Sequence, residues 1–522
     1  MITLQQFRVG QGGISTLLPD MDFETYSEAG YVYSPEKGMF VAPPTAPTGK
    51  RGLFVVGAAG YAEHPSTEVL SLAYDLKDGL GSRLWVPGLP PPVDLFNHIA
   101  AGGLIESHNS GFEFLIWHYV CNGRMGWPAL PLLQQRCSMA KARAWSLPGA
   151  LEKVANVVGA PIKKDTAGGS IMKQVSQPRK PTKALAALRY TPVNAPDKFS
   201  RLYLYNIDDI RAEESVSLRI PDLSPDELAV WQLDQEINMR GVHIDRAALN
   251  ACLKLVTAEL GDVDRRLHEL TSGAVEKVTQ VERMKGWCAS QGHPMKSLGE
   301  DAVQEAIKRN DAPPQVHQLL GLRALGGSAG IKKLFTMHNT ANQDNRIRGL
   351  LAYCGADRTG RWAGRGVQVQ NLQNSGPDVI KCPSCGQWMN AVVMPDELMG
   401  CPHCLKFTEL DGQEWNPEAM DQAIRDIIRL QDNPNDIRHV WGDIVPIVAA
   451  CLRGLFTASP GNDLISSDYS AIEAVVMAAM AGEEWRMEVF RTHGKIYEMG
   501  ASRITGVPFE EFIRHKQETG NH

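Results

Sequence analysis

Met21-Asp22-Phe23-Glu24-Thr25 places two carboxylates two positions apart between apolar neighbours. On a β-strand alternate residues share a face, so Asp22 and Glu24 point the same way. Two acids side by side repel unless a cation sits between them. An isolated D-x-E is ordinarily a pair of surface acids at a strand end, and Pro19 weakens the strand assignment. Two further segments change the weight of that reading.

Asn109-Ser110-Gly111-Phe112-Glu113 sets a third acid at the head of an apolar helix, with Asn109 expected to position it. Tyr205-Asn206-Ile207-Asp208-Asp209 adds a fourth, and Tyr205 and Asp209 stand one helical turn apart on one face. Four oxygen ligands from three segments make up a two-metal phosphodiesterase centre, and hard ions such as Mg²⁺ (or Mn²⁺) prefer such ligands. Two ions about 4 Å apart activate a water and steady a leaving oxygen.

Around these segments, residues 1–210 alternate short β-like runs with amphipathic helical ones, for example 69–75 as a strand and 113–120 as a helix. The stretch 42–52 is a loop by its Pro, Thr and Gly content, and 163–183 reads as a long basic loop able to hold backbone phosphates. From Ser224-Pro225-Asp226-Glu227, a capped helix start, the pattern turns helical, with Leu228, Trp231, Leu233 and Ile237 on one side. Residues 246–345 read as long helices, 349–373 as Gly-rich β-like segments, and 416–431 as a helix. A domain boundary falls near 215–225.

In the second half, Thr359-Gly360-Arg361-Trp362-Ala363-Gly364-Arg365 precedes Gln368, Gln370 and Asn371. Arginine and amides suit the minor-groove acceptors that every base pair offers in similar form. Leu464-Ile465-Ser466-Ser467-Asp468-Tyr469-Ser470-Ala471-Ile472-Glu473 reads as an apolar strand ending at an acid, then a helix with Ile472, Val475, Val476 and Ala479 inward. An acid at a strand's carboxyl end is well placed to hold a metal in a cleft.

The three acidic segments resemble, in order and spacing, the exonuclease motifs of proofreading DNA polymerases of the DEDDy group. The segment 231–245 (WQLDQEINMRGVHID), the TGR…QN run and the DYSAIE run resemble phage-type family A DNA polymerases. The resemblance implies Asp22, Glu24, Glu113 and Asp209 as metal ligands and Tyr205 as the group orienting the attacking water. Glu113 departs from the Asp of bacterial enzymes. It implies Asp468 as a catalytic metal ligand, Glu473 as the residue excluding ribonucleotides, and Arg361, Arg365, Gln368, Gln370 and Asn371 as DNA contacts. Lys332 and Lys333 are expected to touch phosphates, and Arg453 to Phe456 to form the strand before the DYSAIE run. Val475 stands where relatives carry Arg.

Cys382-Pro-Ser-Cys385 and Cys401-Pro-His-Cys404 have the spacing of a tetrahedral zinc site. His403 is an alternative ligand, but four cysteines form the symmetric set, and a site with four protein ligands is structural. Trp388 and Lys406 are expected to touch DNA or the missing carboxy-terminal half, the alternative being that the ribbon only stabilises a long insertion. Cys121, Cys137, Cys252, Cys288, Cys354 and Cys451 read as small buried apolar residues.

With 522 residues, 21% charged and 43% hydrophobic, the composition is that of a multidomain globular chain. The net charge of −6 gives no general support for nucleic-acid binding, which then depends on a local basic groove. No signal peptide or apolar run of membrane length is seen, so a cytoplasmic protein is expected, in a host cell if phage-encoded.

The expected fold is mixed α/β: a ribonuclease H-like 3′→5′ exonuclease domain (1–215), a helical thumb (216–345) and a partial palm (346–522) with a zinc ribbon at 378–410. The expected function is the amino-terminal subunit of a DNA polymerase with its own proofreading exonuclease. Its partners are primer–template DNA, single-stranded 3′ ends, dNTPs and a carboxy-terminal polypeptide carrying the fingers and remaining palm, because no HDE-type acidic pair follows the DYSAIE run. The alternative is a stand-alone exonuclease whose polymerase remnant is a DNA-binding platform.

Overall fold

The structure, a computed structural model, describes residues 15–162, 165–356, 359–391, 401–406, 412–465, 467 and 471–519. It divides into two compact units, 1–459 and 460–522.

The first unit opens with a five-stranded sheet. Strand β1 (Asp20–Tyr26) starts directly after Pro19, where the ring's missing N–H costs no ladder bond. A short hairpin, β2 (Val32–Ser34) and β3 (Met39–Val41), lies outside the sheet, and the expected 42–52 loop follows it. Strands β4 (Glu68–Asp75), β5 (Arg83–Trp85), β6 (Ile105–Ser107) and β7 (Gln135–Cys137) complete the order β5-β4-β1-β6-β7. β4 runs antiparallel to both β1 and β5, while β6 lies parallel to β1 and to β7. An antiparallel meander thus leads into two parallel strands, with β1 central.

The two faces of β1 separate chemistry from core. Met21 and Phe23 are buried with Leu72, Tyr74, Trp85, Ile105, Ile116 and Trp117, each large apolar side chain contributing about 1.5–3 kcal/mol on burial. Asp20, Asp22 and Glu24 alternate with them, and the Pro196–Ser217 helix packs against β1, β4 and β5. Between Glu24 and Thr25 the register to β4 shifts by one residue, a bulge beside the acids.

The segment 113–120 belongs to a helix that begins earlier, at Ser110, and passes through a π-helical stretch (Trp117–Asn122). The basic stretch 163–183 is not one long loop: Thr166–Val175 is helical, capped by the Asp165 side chain on the Ala167 N–H at 3.0 Å. Its glycines suggested a loop, but tertiary packing overrides their propensity.

Ser224 caps the next helix, Pro225–Arg240, its Oγ accepting from the Glu227 N–H at 3.2 Å as expected. On that helix Trp231 is buried, whereas Leu233 is exposed, because 100° per residue carries it off the Leu228–Trp231 face. Helices Arg246–Leu270, Val281–Ser290, Glu300–Arg309, Pro314–Gly326 and Ala329–Thr340 follow, so the helical reading of 246–345 holds. The first four pack Val263, Leu267, Met284, Val303 and Leu319 into their own cluster. Arg453 to Phe456 is not the expected strand: Leu452–Leu455 is a 3₁₀ turn prolonging the Ile444–Cys451 helix, and Phe456 makes one isolated bridge to Ile244.

The second unit comprises helices Ile472–Ala481, Glu484–Thr492, Ile496–Thr505 and Phe509–Thr519. Leu464 and Ile465 are exposed and outside any strand, since a short apolar run without a neighbouring strand cannot satisfy its backbone. Ile472, Val476 and Ala479 are exposed and Val475 half-buried, contrary to the inward placement expected. Four short helices bury little beyond Ala478 and Val489, too small a core to cover that face. Among the described residues no helix is long and apolar enough to cross a membrane.

Candidate metal centres and nucleic-acid interface

Strand β1 and the Pro196–Ser217 helix bring Asp22, Glu24 and Asp209 together, with one ligand atom from each within 4.8 Å of the others. Glu24 and Asp209 are buried and Asp22 is half-exposed, so the trio opens on the Asp22 side. Buried acids at this spacing repel, and a divalent cation among their oxygens relieves that repulsion. The donor set, all carboxylate, fits Mg²⁺ or Mn²⁺.

Glu113 is buried in the first turn of the Ser110–Ile116 helix, which packs on β1, and it stands outside the trio. Asn109 does not cap that helix with its side chain. It supplies a left-handed turn (φ 69°) from which the helix departs. Tyr205 is buried with Tyr26, Leu70, Val175, Phe199 and Leu202. A Cβ at Gly168 would lie 2.4 Å from Tyr205 Cδ2, so the glycine is what lets the Thr166–Val175 helix close over the ring.

Several residues of the centre escaped the sequence reading. Asn206, fully buried, donates from Nδ2 to Asp22 Oδ2 (2.7 Å) and to the Asp22 carbonyl (3.1 Å). Ser71 Oγ in turn donates to Asn206 Oδ1 at 2.8 Å, fixing the amide. Its place between Tyr205 and Asp209 was the available signal.

Behind the trio lies a second tier of buried acids. Asp20 pairs with Lys77 at 3.0 Å, yet burial pushes its carboxyl up to about 7 against the lowering effect of that lysine. Glu213, one turn beyond Asp209, accepts from Ser138 Oγ at 2.9 Å. Burial first, then the carboxylates of Glu106 and Asp20, hold its pKa well above the ordinary range. Glu106 lies 3.5 Å from Lys141, which also meets Asp222 at 2.7 Å.

On the other side of the unit, Lys333 donates to the Asn371 carbonyl and Arg453 donates to the Leu372 carbonyl at 2.8 Å. The first bond ties the Ala329–Thr340 helix to the Val369–Asn371 turn, and the second ties the Leu452–Leu455 turn to Leu372, the residue after Asn371. Arg361, Gln368, Gln370, Asn371 and Lys332 are exposed, so five residues expected to meet DNA face solvent, whereas Arg365, though much of its surface is open, lines a pocket in which burial lowers its pKa. Asp468 lies outside the described residues, and Glu473 is exposed in the first turn of its helix.

Sulfurs of Cys382, Cys385, Cys401 and Cys404 lie within 4.8 Å of one another, the arrangement of a four-thiolate zinc site. His403 is turned away: its Nε2 is 3.2 Å from the Trp388 carbonyl. Burial raises the Cys382 thiol, but the backbone N–H groups of Cys385 and Ser384 and the adjacent thiols outweigh it, bringing it to about 7, favourable for a thiolate ligand. Trp388 is buried, so it is not the exposed DNA contact considered above. Its backbone exchanges hydrogen bonds with the Gln422 side chain at 2.7 and 2.9 Å. The six other cysteines are all buried, as expected.

A carboxylate trio able to hold a cation and a four-cysteine knuckle pair thus share one unit, in a chain whose second half carries exposed arginines and amides. The chain is similar to a DNA polymerase of Bacillus phage SP02, 32% identical over 470 residues. That match spans 88% of this chain and 64% of the phage protein. The resemblance to phage DNA polymerases drawn from the motifs is borne out by this relative. Among solved structures, the POL domain of Pol1 from M. smegmatis, in complex with DNA primer–template and dNTP, aligns with a TM-score of 0.40 and 15% identity. That alignment covers 85% of this chain and 62% of the other, a likeness too weak to define the fold. No protein-family model matches the chain.

Proposed function

We propose that residues 15–217 form a 3′→5′ exonuclease of ribonuclease H-like build, and that the rest forms the thumb and part of the palm of a family A DNA polymerase. The observation that carries the reading is the convergence of Asp22, Glu24 and Asp209 on the central strand and the helix crossing it. The sheet order β5-β4-β1-β6-β7, with acids on β1, supports it, as does the similarity to the phage polymerase.

Divalent ions held by the trio supply an activated water and a counter-charge for the leaving 3′ oxygen. The chain's own groups do the rest. Asn206 holds Asp22 in one rotamer with its ligand oxygen directed to the centre. Tyr205, wedged on Gly168, cannot swing, which suits a hydroxyl that orients a water. Glu113 offers a further acceptor by way of water, since it lies outside the trio.

On the polymerase side, exposed Arg361, Gln368, Gln370 and Asn371 offer donors to the primer–template minor groove, and dNTPs are the substrates. Asp468 and Glu473 serve synthesis together with fingers and palm residues outside these 522 positions, on the same polypeptide or a separate one. A zinc ion in the cysteine set would tie the two knuckles to each other, and the Trp388–Asn390 strand beside them packs on the Pro417–Leu430 helix.

The test is a 3′-labelled single-stranded oligonucleotide with Mg²⁺. Wild type should release mononucleotides from the 3′ end, and Asp22→Ala should do so at least about 100-fold more slowly. Equal rates in the two proteins would refute the assignment.

A further inference from the structure

The first unit holds a partly open cavity of about 270 Å³ between its sheet region and the Pro225–Arg240 helix with the 347–353 segment. We propose that this cavity is a binding site for the phosphate of one nucleotide unit, held between Arg143 and Arg365. The claim goes beyond the exonuclease reading and does not need it, because nothing in the cavity belongs to the carboxylate trio.

Arg143, on the Ser138–Ala144 helix, and Arg365, after the TGR run, both line the cavity. Neither guanidinium has an ion-pair or hydrogen-bond partner among the described residues. Other charged groups of the wall are already engaged. Arg348 is forked on Asp344 at 2.6 and 2.9 Å and donates to the Met239 carbonyl at 2.6 Å. Asp234 is buried and accepts from Trp362 Nε1 at 2.7 Å, Gln235 at 2.8 Å and Asn238 at 3.2 Å. Its oxygens are thus taken up by neutral donors.

Two unpaired guanidiniums on one cavity repel each other. Burial first, and then the charge of Arg143, depress the pKa of Arg365, while Asp234 only partly offsets them. An anion between them removes the repulsion and satisfies both forks, and phosphate is the anion whose geometry matches a guanidinium fork. Arg143 is not a loose surface arm: its Nε would lie 2.7 Å from a Cβ on Gly149, so the glycine seats it. Phe112, half-buried in the wall against Tyr61, gives the cavity an apolar aromatic side, and the volume suits one nucleotide and not a duplex.

The wall also has a consequence for the centre. Gly111, Phe112 and Leu115 line the cavity, while Glu113 and Ile116 of the same helix are buried away from it. A nucleotide seated here presses on the helix that carries Glu113.

Two ligands share this chemistry: a free nucleoside monophosphate and a backbone unit of single-stranded DNA. Fluorescence anisotropy and calorimetry without added divalent ions, using dAMP and a labelled hexathymidylate, separate them. Wild type should bind one or both saturably. Arg143→Ala and Arg365→Ala should each weaken binding about tenfold or more, with unchanged melting temperatures, and Arg143→Lys should restore it only in part. In the Asp22→Ala background, Arg143→Ala and Arg365→Ala should still weaken binding by the same factor, which separates this site from the exonuclease reading. Binding of hexathymidylate alone assigns the site to a DNA strand, and binding of dAMP alone to a free nucleotide. Affinity for both ligands unchanged in the Arg143→Ala/Arg365→Ala double variant, or no binding by wild type, overturns the proposal.

Discussion

Asn206 shows how one buried amide sets the geometry of a charged centre. It has no surface open to solvent and bonds both the carboxylate and the carbonyl of Asp22, with Ser71 behind it. Asn206→Ala removes a neutral partner from a ligand, and such partners typically matter 10–100-fold in metal affinity. Mn²⁺ titration followed by electron paramagnetic resonance should show that loss, with excision recovering at saturating Mn²⁺. Unchanged Mn²⁺ affinity would mean Asp22 is held by other groups.

Glu213 gives a prediction with a definite sign. Its folded pKa is raised well above the ordinary 4.5, so the folded state holds its proton more tightly than the unfolded chain does. Stability from this group is therefore full at acid pH and falls as pH rises above about 4.5 toward the folded pKa. Glu213→Gln keeps an acceptor for Ser138 and carries no charge. It should melt higher than wild type at pH 8, with the difference closing by pH 4.5. A constant offset across that range would mean Glu213 stays ionised in the fold.

At this scale much of the centre was legible. Alternation on β1 and the one-turn spacing of Tyr205 and Asp209 are local, and local periodicity is what sequence displays. Asn206, Ser71, Asp20 and Glu213 were not, because their partners come from β4, β6 and distant helices, and only the fold brings those together.

Among the elements, the two knuckles offer a comparison the chain makes with itself. Gly386 follows Cys385 with φ 73°, and Leu405 follows Cys404 with φ 59°, the same turn built once with glycine and once with leucine. The left-handed region penalises a Cβ, and Leu405 is exposed, so its side chain offers little packing in return. Leu405→Gly should stabilise zinc retention by about 1 kcal/mol, read as slower loss of the ion to a chelator. Faster loss would mean the Leu405 side chain supports the knuckle.

The elements that misled the sequence reading did so for physical reasons. Glycines at 168 and 169 suggested a loop, yet they serve the approach of a helix to Tyr205. Leu464 and Ile465 have strand composition, but a strand exists only where a neighbour accepts its hydrogen bonds, and composition carries no record of neighbours. Capped helices, by contrast, announce themselves: Ser224, Asp245 and Asn416 each bond their own first turn.

In the whole molecule, the first unit joins a sheet with a carboxylate trio to a helical region and a cysteine ribbon through continuous packing. The ribbon is part of the main core: Cys382, Trp388, Met389 and Cys401 are buried together with Leu334, Ile427 and Trp441. Removing the ion should therefore lower the melting temperature of the unit as a whole, not only that of the ribbon.

The most direct test of the carboxylate centre is an anomalous difference map from crystals soaked in Mn²⁺. A peak bounded by oxygens of Asp22, Glu24 and Asp209, and lost in Asp209→Asn, is the expected result. Ordered carboxylates with no manganese among them at saturating Mn²⁺, in a protein that still shortens 3′ ends, would place the chemistry elsewhere.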